Sequence, residues 1–163
     1  KTVIFSAAPA AGGALIEPEI LRRPEMIHGL RNLVQNAVDF AHSRVWIDAS
    51  WTETNLTLRI IDDGDGFSSQ VLGRIGDPFL RSRRDEAGPK RRPGYEGMGL
   101  GLFIAKTLLE RTGAELSFAN SSDPFLATGG RPERSGAIVE VVWPLDRISA
   151  ESGGPLGENQ PLG

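Results

Sequence analysis

Apolar side chains recur at helical spacing from Pro24 to about His42, and this pattern predicts the longest helix of the chain. The residues that form the pattern are Met26, Ile27, Leu30, Leu33, Val34, Ala37, Val38 and Ala41. Pro24 suits the first turn, because a helix start leaves its N–H groups without partners and proline has none to lose. A second pattern begins near Gly99 and ends at Gly113, where glycine can adopt the left-handed conformation that often ends a helix. A short helix is expected from Ser68 to about Ile75.

Five shorter segments are rich in β-branched and aromatic residues, several with alternating polarity, and they predict strands. They cover residues 2–5, 44–51, 55–61, 114–118 and 136–143. Residues 7–13 and 120–135 are expected to be loops, and residues 76–96 show little periodicity. Strands that occur in pairs among three helices favour an α+β fold. We therefore expect a two-layer sandwich, in which a mixed, mostly antiparallel sheet carries about three helices on one face.

Composition sets limits on function. The chain has 163 residues, of which 39% are hydrophobic and 24% are charged, as in ordinary soluble domains. A net charge of −3 gives no bulk electrostatic support to nucleic-acid binding, which usually needs a basic surface. The lack of cysteine excludes disulfides and thiolate metal sites. No apolar run is long enough for a transmembrane helix, so we expect a cytoplasmic domain over 1–148 and a disordered tail at 149–163.

A glycine at every second position marks the start of the second long helix, in the stretch GMGLG from Gly97 to Gly101. Glycine costs helix stability, so such a cluster indicates that the backbone has a purpose other than packing. Exposed N–H groups at a helix start attract anions, and phosphate is the natural ligand. The spacing matches neither the dinucleotide-binding fingerprint nor the Walker A loop. Taken alone, the stretch is more safely interpreted as a glycine-rich loop without a ligand.

Three further stretches point to a nucleotide. Asn32 and Asn36 lie four residues apart on one face of the long helix, where carboxamide oxygens bridge backbone groups or bind a hard cation such as Mg2+. Asp62 begins the sequence DDGDG at the end of a strand, where a turn is the ordinary interpretation but a carboxylate can also accept from an exocyclic amine. Arg81 stands in the polar segment 76–96, and its planar fork of donors suits a terminal phosphate.

Together these stretches resemble the catalytic ATP-binding domain of sensor histidine kinases, a Bergerat-type fold of the superfamily that includes gyrase, Hsp90 and MutL ATPases. The order of NLVQNA, DDGDG, PFLR and GMGLGL is similar to the N, G1, F and G2 boxes of that domain, over about Pro24 to Pro144. The longer stretches HGLRNLVQNAVDFA, FIAKTLLERTGAELSFAN and GAIVEVVWP resemble the RegB, PrrB and ActS group of redox-responsive kinases.

The resemblance implies that the cofactors are ATP and Mg2+. It places Asn36 on the metal and Asn32 beside it, where Asn32 would orient the metal-bound water or the terminal phosphate. Asp62 would accept a hydrogen bond from the adenine amino group, and Gly64 and Gly66 would shape the pocket around the ring.

The resemblance also implies how the phosphates are held. The residues that would cradle them are Gly97, Met98, Gly99, Leu100, Gly101 and Leu102. Residues 76–96 would form an ATP lid, from which Arg81 would reach the terminal phosphate. Arg81 and Asn32 are therefore the implied catalytic residues, since phosphoryl transfer depends mainly on positioning and charge neutralisation.

The implied function is donation of the γ-phosphoryl group of ATP to a histidine on a separate dimerisation domain, with a response regulator as an indirect partner. His28 and His42 lack the acidic C-terminal neighbour usual for the acceptor, so we expect the acceptor outside this chain. Two alternatives remain open, namely a serine/threonine kinase of the anti-sigma-factor type and a non-catalytic nucleotide-binding module. Membrane anchoring and dimerisation of a full-length protein also remain open.

This chain departs from the family pattern at two positions that bear on the site. Asp39 stands where many relatives carry a lysine after the Asn-Ala pair, so one phosphate-facing cation is missing. Ala137 stands where many relatives carry serine or threonine, which puts one water-mediated contact to adenine in doubt.

Overall fold

The computed structural model describes residues 1–13, 15–73, 95–121 and 134–150, with residues 95–99 described by their backbone. The elements of this part are β1 Thr2–Pro9, α1 Pro24–Phe40, β2 Arg44–Trp51, β3 Asn55–Asp62, α2 Ser69–Leu72, α3 Tyr95–Arg111, β4 Glu115–Asn120, β5 Ala137–Pro144 and α4 Leu145–Ile148. Within it, no helix is both long and apolar enough to cross a lipid bilayer.

The strands form one sheet in the order β1-β2-β3-β5-β4. β1 runs parallel to β2, and every other neighbouring pair is antiparallel. β2 and β3 form the expected hairpin, whose turn is closed by the hydrogen bond from Thr52 N to Asn55 O at 2.9 Å. At the other end of the hairpin, β3 finishes at Asp62, and its antiparallel neighbour β5 begins at Ala137. The ends of these two strands meet at the candidate site.

The hydrophobic core lies between one face of the sheet and the pair of long helices. Strand side chains alternate in direction, so β5 buries every second residue from Ala137 to Trp143 while those between are more exposed. The least exposed side chains of this core include Leu33, Val45, Ile60, Leu102, Leu109, Val141 and Trp143. Gly29 allows α1 to approach α3 closely, because a Cβ there would lie 2.6 Å from Leu109 Cγ.

The expected fold class is confirmed: helices cover one face of a mixed, mostly antiparallel sheet. β1 is longer than predicted and continues to Pro9, since pairing with β2 orders the Ala-Pro segment that the sequence predicted as loop. α3 begins at Tyr95 instead of near Gly99, so the glycine-rich stretch lies in its first turns. α2 covers only Ser69–Leu72, and α4 was not predicted.

Three predicted segments fall largely outside the described residues, and one of them is the loop at 120–135, of which residues 122–133 lie outside. The lid at 76–96 does so except for its last two residues, which open α3. The tail predicted at 149–163 does so from residue 151 onwards. Its first two residues bond to the segment before α1: Ser149 pairs with Ile20, and Ala150 N donates to Glu19 O at 2.9 Å.

Candidate functional site

A buried carboxylate at the end of β3 is the centre of the site. Asp62 is only 4% exposed, and its Oδ1 accepts hydrogen bonds from Gly64 N at 2.8 Å and from Ala137 N at 3.1 Å. Burial raises the pKa of Asp62 above its ordinary value, and the two N–H groups partly oppose that shift. Among the described residues, both hydrogen bonds to the Asp62 side chain end on Oδ1, so the acceptor capacity of Oδ2 is unused in this part of the chain.

Glycine allows the backbone to approach this carboxylate. A Cβ on Gly136 would lie 2.0 Å from Asp62 Oδ1, and a Cβ on Gly64 would lie 2.2 Å from Phe40 O. Gly136 N also donates to Asp62 O at 2.9 Å. Gly64 was predicted to shape the pocket, whereas Gly136 was not among the predicted site residues. The available signal was its position directly before β5.

The next aspartate supports the fold from the same turn. Asp63 accepts from Ser43 N at 2.9 Å, from Ser43 Oγ at 2.5 Å and from Arg44 N at 3.1 Å. Desolvation acts to raise the pKa of Asp63, but these hydrogen bonds outweigh it and hold the pKa well below its usual range. Asp63 therefore ties the end of β3 to the start of β2. Asp62, the residue before it, is the buried carboxylate of the turn.

The third aspartate of the turn is a surface group. Asp65 lies on the exposed side of the loop, 3.1 Å from His42 Nε2. Both side chains are largely exposed to solvent, at 77% for Asp65 and 64% for His42. His28, on α1, is exposed.

The far end of the loop is fixed by β4. Asn120 Oδ1 accepts from Phe67 N, and Asn120 Nδ2 donates to Phe67 O, both at 2.7 Å. The Phe67 ring is 5% exposed and packs edge-on against Phe118, with the ring centroids 6.2 Å apart. Gly66, just before Phe67, has a φ of +78°, a backbone conformation that residues other than glycine rarely adopt. No pattern in the sequence indicated a role for Asn120.

The two asparagines lie on α1 as predicted. Asn32 and Asn36 are half-buried and adjoin the buried stripe that contains Leu33 and Ala37. Neither side chain makes a hydrogen bond to another described residue. Half-buried amide oxygens without protein partners in this part of the chain are suitable ligands for a hard cation, so the donor set fits Mg2+. The C-terminal end of their helix reaches the Asp62 turn at Phe40 O.

The glycine-rich stretch lies within the first turns of α3 instead of ahead of the helix. Because α3 begins at Tyr95, its unbonded N–H groups belong to the first turn, just ahead of Gly99. Among the described residues, a Cβ on Gly101 would meet no heavy atom within 4 Å, so packing does not require glycine there. Leu100 is 41% exposed, while the Leu102 side chain is buried in the core. Arg81 lies outside the described residues.

Comparison with known proteins identifies the family. Residues 22–147 match the family described as histidine kinase-, DNA gyrase B- and HSP90-like ATPase. The chain belongs to this family, and its domain is the ATP-binding domain that sensor histidine kinases share.

Individual relatives show which members of this family the chain resembles in sequence. The chain is 65% identical over 159 residues to the sensor histidine kinase RegB of Cereibacter sphaeroides, covering 98% of this chain and 34% of that protein. It is 27% identical over 134 residues to the tetrathionate sensor histidine kinase TtrS of Salmonella typhimurium, covering 82% of this chain and 19% of that protein. The chain thus spans about a third of the length of the RegB relative.

Solved structures share the fold. The mycobacterial sensor histidine kinase MprB matches with a TM-score of 0.58 at 19% identity, over 87% of this chain and 83% of that one. The catalytic domain of histidine kinase ThkA matches with a TM-score of 0.57 at 17% identity, over 87% of this chain and 78% of that one. These likenesses confirm the α+β sandwich predicted from the sequence.

Proposed function

We propose that this domain binds Mg-ATP and donates the γ-phosphoryl group to a histidine on a separate dimerisation domain. The observation that carries the proposal is the buried Asp62 carboxylate, whose Oδ1 is held by two main-chain donors. A fixed acceptor at the end of a strand suits the amino group of adenine, and guanine has a carbonyl in its place. Gly64 and Gly66 are proposed to line the pocket, and they let the loop pack against Phe40 O and the Asn120 side chain, where a Cβ would clash.

The phosphates are assigned to the N-terminal turn of α3 and the facing side of α1. The first-turn amides of α3 carry the partial positive charge of the helix dipole, which favours an anion there. Asn36 is proposed to hold Mg2+, and Asn32 to orient the terminal phosphate beside it. When bound, the metal neutralises charge on the phosphate oxygens. Arg81, within a proposed lid at 76–96, completes the phosphate contacts.

The acceptor and the further partners belong to the proposal as well. The RegB likeness supports a two-component sensor kinase, in which the acceptor domain lies in the same full-length protein and a response regulator acts downstream. The proposed nucleotide-binding domain is 1–148, in the cytoplasm, with residues beyond it as a tail. Membrane anchoring and dimerisation are proposed for the full-length protein and not for this domain.

Two measurements test the proposal. Calorimetry with Mg2+ should show binding of a non-hydrolysable ATP analogue and much weaker binding of the GTP analogue, because guanine has a carbonyl where the adenine amino group would donate to Asp62. Radiolabelled ATP should leave the isolated chain unlabelled and should label an added dimeric helical hairpin that carries an acceptor histidine. The hairpin with that histidine replaced by alanine is the control.

Three outcomes would contradict the assignment. Equal affinity for the two bases would remove Asp62 from base recognition. Acid-labile label on His28 or His42 without a partner would show that the acceptor lies within this chain. Acid-stable label on a partner protein would favour the serine/threonine kinase alternative.

A further inference from the structure

Asn120 holds both backbone groups of one residue in the loop that follows Asp62. Its Oδ1 accepts from Phe67 N and its Nδ2 donates to Phe67 O, both at 2.7 Å. A carboxamide that bonds the N–H and the C=O of one residue acts like a neighbouring strand, and it fixes that residue in direction as well as position. The two bonds are part-buried, so water replaces them less readily than it would on an open surface.

The position of Asn120 links this contact to the carboxylate. Asn120 is the last residue of β4 and is paired in register with Ala137, whose N–H donates to Asp62 Oδ1. The next residue, Ser121, bonds Gly136 O through its own N–H at 3.0 Å. One strand pair therefore supports the carboxylate from β5 and holds the loop from β4.

The loop between these two supports depends on glycine. Gly66 has a φ of +78°, and a Cβ on it would lie 2.6 Å from Asn120 Oδ1. The side chain of Asn120 thus lies directly against the segment that contains Gly64 and Gly66. A backbone with glycine at two of three positions has little stiffness of its own, so its conformation depends on contacts from outside the loop.

We propose that Asn120 is a positioning residue for base recognition, which sets the loop from Gly64 to Phe67 at the distance a purine requires from Asp62. This inference rests on the proposed assignment of Asp62 to adenine. Asn120 acts through the backbone of Phe67 and does not itself touch the nucleotide. If Asn120 had only a structural role, replacing it would lower stability and leave the preference for one purine over another unchanged.

The test compares Asn120→Ala and Asn120→Asp with a matched control. Alanine removes both bonds, and aspartate keeps the acceptor for Phe67 N while turning an oxygen toward Phe67 O. The control is Thr112→Val, which removes a buried hydroxyl that accepts from Trp143 Nε1 at 2.8 Å, on a different part of the molecule. Dissociation constants for non-hydrolysable ATP and GTP analogues are measured by calorimetry, and thermal midpoints are measured for the same proteins.

Both Asn120 variants should bind the ATP analogue roughly ten-fold more weakly, as expected for the loss of a hydrogen-bonded support, with a smaller ratio of ATP to GTP affinity than the wild type. Thr112→Val should lower the thermal midpoint and leave that ratio unchanged. Asn120→Asp keeps the test valid if Asn120→Ala does not fold. The inference is overturned if the Asn120 variants keep the wild-type ratio while Asp62→Asn loses it. Failure of the wild type to prefer ATP would instead overturn the proposed function.

Discussion

Asp62→Asn exchanges one oxygen for an NH2 group inside a site where the direction of every hydrogen bond matters. Gly64 N and Ala137 N both donate to Oδ1, so the amide oxygen of asparagine keeps that place and its NH2 group takes the position of the other oxygen. Two donors then face each other, the new NH2 and the adenine amino group. An unsatisfied buried polar group costs about 1–3 kcal/mol, which corresponds to a dissociation constant for ATP about 5- to 150-fold higher.

The same exchange should not destabilise the fold. Burial raises the pKa of Asp62 in the folded state, so the folded protein binds this proton more tightly than the unfolded chain. Stability associated with this group is present at low pH and is lost as the pH rises through the folded pKa. At pH 7 the wild type must bury a charged carboxylate, whereas a neutral asparagine avoids that cost. We expect the variant to melt at or above the wild-type temperature at pH 7, with the difference shrinking in acid.

Calorimetry with Mg2+ and a non-hydrolysable ATP analogue, alongside thermal melts from pH 7 into the acid range, measures both effects on one pair of proteins. The combination of weaker binding and undiminished stability is the signature of a buried group kept for recognition. An unchanged dissociation constant would refute the adenine assignment. A large fall in melting temperature at pH 7 would show that the charge of Asp62 serves the fold.

Two further variants probe the neighbouring groups. If the Asn36 carboxamide holds the metal, Asn36→Ala should reduce transfer to an acceptor-histidine domain by roughly 100-fold or more. The thermal midpoint should not change, because the side chain is only half-buried. Full transfer activity in single-turnover labelling would refute that role. Asp63→Ala should lower stability by about 1–3 kcal/mol in urea titrations while leaving the ATP affinity unchanged, because it loses hydrogen bonds to Ser43 and Arg44 and none to the pocket. The pKa of Asp63 is depressed in the folded state, so its contribution to stability is present above the ordinary aspartate pKa of about 4 and is lost as the pH falls below it. A wild type and variant whose stabilities respond identically to acid would contradict this.

Elements with a strong local pattern were predictable from the sequence. α1 begins at Pro24 as expected, and β2 has the predicted bounds, because apolar periodicity and strand propensity are properties of neighbouring residues. The end of β1 was missed, since Ala7, Ala8 and Pro9 have weak strand preference and are ordered by parallel pairing with β2. The start of α3 was missed because glycine, although unfavourable in helices, does not prevent one that begins earlier.

The candidate site was predictable where a sequence motif marks it, and not where it depends on contacts between residues far apart in the sequence. Asp62 was singled out by its place in DDGDG, and the structure buries it at a strand end. Its partner Ala137 N is 75 residues away in sequence, and the contact between Phe67 and Asn120 spans 53 residues. Nothing near Asn120 in the sequence distinguishes it from an ordinary polar residue at a strand end. Such contacts depend on sheet topology, which local patterns do not contain.

The main-chain support of Asp62 also bears on the alanine at position 137. Serine or threonine there would offer a hydroxyl, and its absence put one water-mediated contact to adenine in doubt. The carboxylate itself is held by the N–H of residue 137, which any residue except proline provides, and the Ala137 methyl is buried in the core. Position 136, by contrast, requires glycine, because a Cβ there would lie 2.0 Å from Asp62 Oδ1. The orientation of the Asp62 carboxylate is therefore independent of the side chain at 137, and the departure from the family pattern leaves that orientation intact.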